Sequence, residues 1–108
     1  MVSSVSSGSL SDKEISGFNT NTLNGTSGSL YVNGNGLTGI YVVSASGAHT
    51  THVLTAQIST DDTNWFTTSN TITGLGYVEF TTAAEYVRVK LTTAEGGTST
   101  CDISITSK

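Results

Sequence analysis

The stretch Glu85-Tyr86-Val87-Arg88-Val89-Lys90-Leu91-Thr92-Thr93, then Ala94-Glu95-Gly96-Gly97, then Thr98-Ser99-Thr100-Cys101-Asp102-Ile103-Ser104-Ile105-Thr106, decides the fold. Apolar and polar residues alternate in both halves. Val87, Val89 and Leu91 share one side of the first half, and Cys101, Ile103 and Ile105 share one side of the second. A period of two belongs to a strand with one buried face. With Glu95-Gly96-Gly97 as a three-residue loop, the two halves form a hairpin. Leu91 then faces Cys101, Val89 faces Ile103 and Val87 faces Ile105, while Lys90 meets Asp102 as a favourable pair. Such a loop needs a residue with φ > 0, which Gly96 or Gly97 would supply.

The same grammar extends upstream. Short apolar runs recur at 30–32, 37–44, 52–60, 64–68 and 77–82, separated by Gly, Asn and Asp. That spacing predicts an all-β chain folded as an antiparallel β-sandwich of jelly-roll type. Two further hairpins are expected. A turn at Asp61-Asp62 sets Ile58 opposite Trp65 and Gln57 opposite Phe66. A turn at Ala83-Ala84 sets Val78 opposite Val89, Phe80 opposite Val87 and Glu79 opposite Arg88. Trp65 is read as core, and Phe66, Tyr77 and Tyr86 as outward residues that form a contact surface.

Composition agrees. Ser and Thr account for 36 of 108 residues, Gly for 12, and Pro is absent. Thr and Val suit a pleated surface better than a helix. Only 11% of residues are charged, and the formal net charge is -4. Four basic residues are too few for a phosphate-neutralising patch, so nucleic acid is not an expected partner. No apolar run approaches the roughly 20 residues of a membrane span. Residues 1–28 are polar and low in complexity, broken by Leu10, Ile15, Phe18 and Leu23. They are expected to be a tail or a docking arm ahead of a sandwich domain at 29–108. The first ten residues show no basic-then-apolar leader pattern, and Cys101 is the single cysteine. The expectation is folding in a reducing cytosol without a disulfide.

Chemistry is sparse. Asp61, Asp62 and Asn64 resemble part of a calcium loop but lack its alternating frame and distant Glu, so they read as turn caps. His49 and His52 have no third ligand nearby and read as loop and strand-start residues. No G-x-S-x-G is present, and Cys101 falls on the inward face as an inert thiol. No catalytic, cofactor or metal residues are assigned, and no enzyme activity is expected.

The run Ser59-Thr60-Asp61-Asp62-Thr63-Asn64-Trp65-Phe66, with Glu85-Tyr86-Val87-Arg88-Val89-Lys90-Leu91-Thr92, is similar to small β-sandwich virion proteins of tailed bacteriophages, of the head decoration or cement type. More distantly it resembles discoidin-like sandwiches, which carry an S-x-D-G-x-x-W … R-Y-V-R-V pattern. The similarity spans residues 52–106. Asp62 stands where the pattern has a turn glycine, and Asp tolerates φ > 0 better than most residues. The resemblance implies a virion protein on the capsid surface, assembled in the host cytoplasm. It implies an oligomer, a trimer, that clamps the major capsid protein. Leu10, Ile15, Phe18, Leu23, Phe66, Tyr77 and Tyr86 would be its interface residues. The competing expectation is a carbohydrate- or receptor-binding module of a tail fibre or lectin-like protein.

Overall fold

The computed structural model describes residues 11–33 and 37–107. Among the described residues, eight strands form two four-stranded antiparallel sheets: β1 (Ser11–Asn19), β2 (Leu30–Tyr31), β3 (Leu37–Ser46), β4 (Val53–Ser59), β5 (Phe66–Thr73), β6 (Gly76–Thr81), β7 (Tyr86–Thr93) and β8 (Thr100–Ser107). The first sheet has the order β1-β8-β3-β6 and the second β2-β7-β4-β5. Each strand of the first half pairs with its mirror in the second: β1 with β8, β2 with β7, β3 with β6 and β4 with β5. The chain is thus a long antiparallel ribbon rolled on itself, which is the jelly-roll arrangement of a β-sandwich. Only β4 and β5 are joined as a hairpin within one sheet.

Alternation assigns the faces correctly. Val87, Val89, Leu91, Cys101, Ile103 and Ile105 are all buried, at 1% exposure or less. They join Leu30, Val32, Ile40, Val42, Leu54, Ala56 and Ile72 in one core between the sheets. The expected pairing of 85–93 with 98–106 does not occur, however. β7 pairs with β4 and β2, whereas β8 pairs with β3 and β1. Val89 lies beside Ala56 and Ile103 beside Val42. Two inward faces stacked across a sandwich present the same alternation as two neighbours along a ladder, so the pattern alone cannot separate them. Lys90 and Asp102 end on opposite outer faces, beside Thr55 and Val43 respectively. Neither Gly96 nor Gly97 adopts a positive φ, because the connection is a wide arch between sheets and not a tight turn.

The Ala83-Ala84 hairpin fails for the same reason. β6 pairs with β3, placing Val78 opposite Ile40, Glu79 opposite Gly39 and Phe80 opposite Thr38. The Asp61-Asp62 hairpin does form, one residue out of the expected register: Ile58 faces Phe66 and Gln57 faces Thr67. The extra residue comes from a wider loop, in which Asp62 takes φ 61. Trp65 therefore leaves the core. It is half-buried on the outer side of the second sheet, with the Arg88 guanidinium 4.2 Å from its ring centroid.

Residues 11–28, read as part of an arm, are built into the sandwich. β1 is an edge strand along β8, with a bulge between Ile15 and Phe18 that holds Gly17 at φ 66. Ile15 and Phe18 pack against the core. Asn24 N–H donates to Leu91 O at 2.9 Å and Ser27 N–H to Val89 O at 2.8 Å, extending the β2 edge along β7. Even a polar, low-complexity stretch satisfies its backbone in an antiparallel ladder, and two apolar residues suffice to anchor it. Residues 1–10, with Leu10, lie outside the described residues.

Candidate functional site

No cleft or cavity forms among the described residues, so the candidate sites are the two outer sheet faces and the loop ends. On the first sheet, residues alternating with the buried Ile40 and Val42 point outward. These are Leu37, Gly39, Tyr41 and Val43 on β3, flanked by Tyr77, Glu79 and Thr81 on β6. Tyr41 and Tyr77 are register partners whose rings stack, 5.9 Å between centroids and 20° from parallel. Tyr77 is 66% exposed and Val43 59%. The Tyr41 ring lies over Gly39, where a Cβ would come within 2.7 Å of it. Its hydroxyl donates to Glu79 Oε2, and this bond holds the phenol above its ordinary pKa.

The remainder of that face is acidic. Ser104 donates to Glu14, and Gly17 N–H donates to Asp102 Oδ1 at 2.9 Å. Asp12 sits opposite the outward Thr106. Four carboxylates, Asp12, Glu14, Glu79 and Asp102, thus share the face with the tyrosines. Among the described residues no Lys or Arg takes an outward position there. Lys13 has the opposite parity and lies against Gly28.

The outer face of the second sheet differs in charge. Tyr86, Arg88, Lys90 and Thr92 alternate with the buried Val87, Val89 and Leu91. Tyr31 and Tyr86 are register partners with centroids 5.2 Å apart. Arg88 Nε donates to Gln57 Oε1 at 2.8 Å, and Gln57 Nε2 donates to Thr67 Oγ1 at 3.0 Å. These bonds let the central strand bury Gln57 without loss. Glu85 is the acid beside this face, close to Tyr31.

At one end, the arch from β7 to β8 buries Glu95. Its carboxylate accepts from Thr50 N and Oγ1 at 3.0 and 2.9 Å, Thr51 N at 3.0 Å and His52 N at 3.1 Å. Those donors pull its carboxyl down to about 2, the Thr51 N–H foremost, against the opposing effect of burial. His49 and His52 lie together above this knot, rings 5.2 Å apart. All four ring nitrogens are buried without a hydrogen-bond partner. Burial lowers the His52 pKa, Glu95 raises it and His49 lowers it further. Among the described residues, no three His, Cys, Asp or Glu side chains gather as a metal site.

At the β4–β5 loop, Asp61 is consumed by its own turn. It accepts from Thr63 N, Asn64 N, Asn64 Nδ2 and Ser59 Oγ at 2.7–3.0 Å, which holds its carboxyl well below the usual range. Cys101 is enclosed by the core, and burial pushes its thiol up to about 11.

The expected interface residues therefore scatter. Phe66 is 63% exposed, Tyr77 66% and Leu23 54%, whereas Tyr86 is half-covered by Tyr31 and Ile15 and Phe18 belong to the core edge. Of the six that are described, only Tyr77 lies on the tyrosine-acid face. Leu37, Tyr41 and Val43 were not singled out from the sequence. Their signal was present: the run 37–43 is apolar at both parities, so one apolar face had to remain outside.

No protein-family model matches the chain, and no curated protein matches it in sequence. Among solved structures, the fold is similar to the crystal structure of SPBc2 prophage-derived protein YomS. The TM-score is 0.54 at 8% identity, covering 94% of this chain and 98% of that one.

Proposed function

We propose that this chain is a structural protein of a phage virion, a decoration or cement protein that binds the outer capsid surface as an oligomer and stabilises the head. The observation that carries this reading is the Leu37–Tyr41–Val43–Tyr77 surface, an apolar patch on a flat sheet face. A flat apolar patch ringed by polar groups suits a broad macromolecular partner better than a small molecule, which needs concavity. The near full-length likeness in fold to a prophage-derived protein supports a phage origin. On this reading the partner is the major capsid protein, the place of action is the assembled particle, and the protein works by contact and not by catalysis. Binding only the assembled lattice stabilises that state by linkage.

The test is to strip the protein from particles that carry it, measure thermal and mechanical rupture, and add it back. Bare particles should rupture at lower temperature and load, and addition should restore both. Identical rupture of bare and decorated particles defeats the reading. A second reading, a carbohydrate-binding module, is favoured by the near-parallel Tyr41 and Tyr77 rings beside Glu79, since sugars stack on aromatic faces while carboxylates take their hydroxyls. Glycan-array binding that is lost in Tyr77→Ala would select it.

A further inference from the structure

We propose that copies of this chain bind one another face to back, the acidic tyrosine face of the first sheet against the basic aromatic face of the second sheet of the next copy. The occupant of each face is thus a second copy, and charge selects it. One face carries Asp12, Glu14, Glu79 and Asp102 with no described cation, around Tyr41 and Tyr77. The other presents Arg88 and Lys90, with Glu85 as its acid, among Tyr31, Tyr86 and Trp65. Setting the first face against itself would oppose four carboxylates with four. Setting the second against itself would oppose Arg and Lys with Arg and Lys. Like charges across an interface are strongly disfavoured, so both self-complementary arrangements lose to the mixed one.

The aromatics supply the anchors. An exposed tyrosine fits an incoming guanidinium by cation–π attraction, and each face offers what the other lacks. The molecule measures 40 × 31 × 18 Å, and the sheet faces span the two longer dimensions. Such a face has room for the ~800 Å² per partner of a standard interface. A contact between two different faces is heterologous. It propagates until a rotation closes it, so copies would line up in rows or rings. This goes beyond the capsid reading and draws on the same face: a copy whose Tyr41–Tyr77 face is covered by its neighbour does not offer that face to a capsid, so within a row only the terminal copy keeps it free.

The experiment uses sedimentation velocity on the full chain, from micromolar to hundred-micromolar concentration. The wild type should self-associate in about 20 mM salt and dissociate in about 500 mM, where the screening length falls to a few ångströms. Variant one carries Glu14→Lys, Glu79→Lys and Asp102→Lys. Variant two carries Arg88→Gln and Lys90→Glu. All five positions are exposed or half-exposed, and circular dichroism reports whether each variant folds. Each should be monomeric alone, because its two faces now share a sign. Mixed, they should associate again, since each then meets an opposite face. Tyr77→Ala should weaken wild-type association about tenfold or more, as for an interface anchor. Association of variant two alone at wild-type strength would overturn the proposal, as would a mixture that stays monomeric or a wild type monomeric at low salt. If those outcomes occur while particles are still stabilised by added protein, the capsid reading survives and only the contact between copies is lost.

Discussion

A pair of cysteine crosslinks separates the two ways of joining the strands around Cys101. In a Cys101→Ala background, Asp102→Cys is combined either with Lys90→Cys or with Val43→Cys. The hairpin of alternation puts residue 90 opposite residue 102. The structure puts Val43 opposite Asp102, on β3 and β8, and sends Lys90 to the far outer face. Directly opposed residues have Cα atoms about 4.5–5.5 Å apart, inside the range a disulfide bridges. Outer faces of different sheets are separated by at least the ~10 Å between sheets, beyond the ~7 Å limit. The 43–102 bridge closes a loop of about 60 residues, which in the chain-entropy account stabilises by about 4 kcal/mol. Losing the Asp102 bond to Gly17 N–H returns about 1 kcal/mol. The net is about 3 kcal/mol, a rise in Tm on the order of 15 °C for a domain of this size. Mass spectrometry of oxidised protein scores bridge formation, and thermal circular dichroism with and without reductant scores the gain. An intramolecular 90–102 bridge formed under native conditions, or a 43–102 bridge that fails to form, refutes the assignment of β7 and β8 to different sheets.

Three further outcomes are expected. Trp65→Ala should cost about 1–2 kcal/mol in urea unfolding, well short of the ~3–5 of a core aromatic, since Trp65 is half-buried beneath Arg88. Gly47→Ala should cost about 3 kcal/mol or more, because φ is +78 and the new Cβ would collide with the backbone at Thr98 O and Ser99, whereas Gly96→Ala should shift the midpoint negligibly. Stability should fall with pH in two windows. His52 binds its proton less readily folded than unfolded, so its contribution is complete above the ordinary imidazole pKa of about 6.5 and is lost as pH drops through it. Glu95 contributes above 4.5, and its share is lost as pH falls toward about 2. Urea midpoints measured across these ranges should lose the upper step in His52→Leu and the lower step in Glu95→Gln; an unchanged profile in either variant contradicts the assignment.

What the sequence made legible was parity. Seven of the eight described strands, the inward sets on β7 and β8 and the β4–β5 hairpin follow from alternation and turn chemistry, and the positive φ of Asp62 follows from the turn glycine of the pattern that the run resembles. Which strand lies beside which did not follow, because the apolar face of β7 serves equally against a lateral neighbour or an opposite sheet. The missing information lay in polar residues far apart in sequence. β1 was illegible because its polar residues are half-exposed on an edge, and its membership rests on backbone pairing that carries no composition signal. Tyr41 was missed because Ile40, Tyr41, Val42 and Val43 form an unbroken apolar run, whose residue types do not say which parity faces outward beside Tyr77.

Glu95 is the residue on which the topology turns. In a three-residue hairpin loop its carboxylate would stand in water and gain nothing from the fold. In the arch it reaches across to the segment before β4 and takes three backbone N–H groups and the Thr50 hydroxyl. The His52 N–H would otherwise be left without a partner at a buried strand start, which carries a substantial cost, while Thr50 and Thr51 hold the carboxylate from the exposed side. Glu95 N–H in turn donates to Thr20 O at 2.8 Å, so one residue ties the β7–β8 connection to both β1 and β4. A short hairpin would satisfy Lys90 and Asp102 at a solvent-exposed pair worth under about 1 kcal/mol, and would leave this knot undone. The arch also carries β8 to the other sheet, which is what places Asp102 among the acids and leaves Lys90 among the cations. The charge separation between the two outer faces is therefore a consequence of the arch that carries the chain between sheets, and the buried carboxylate is bonded at its centre.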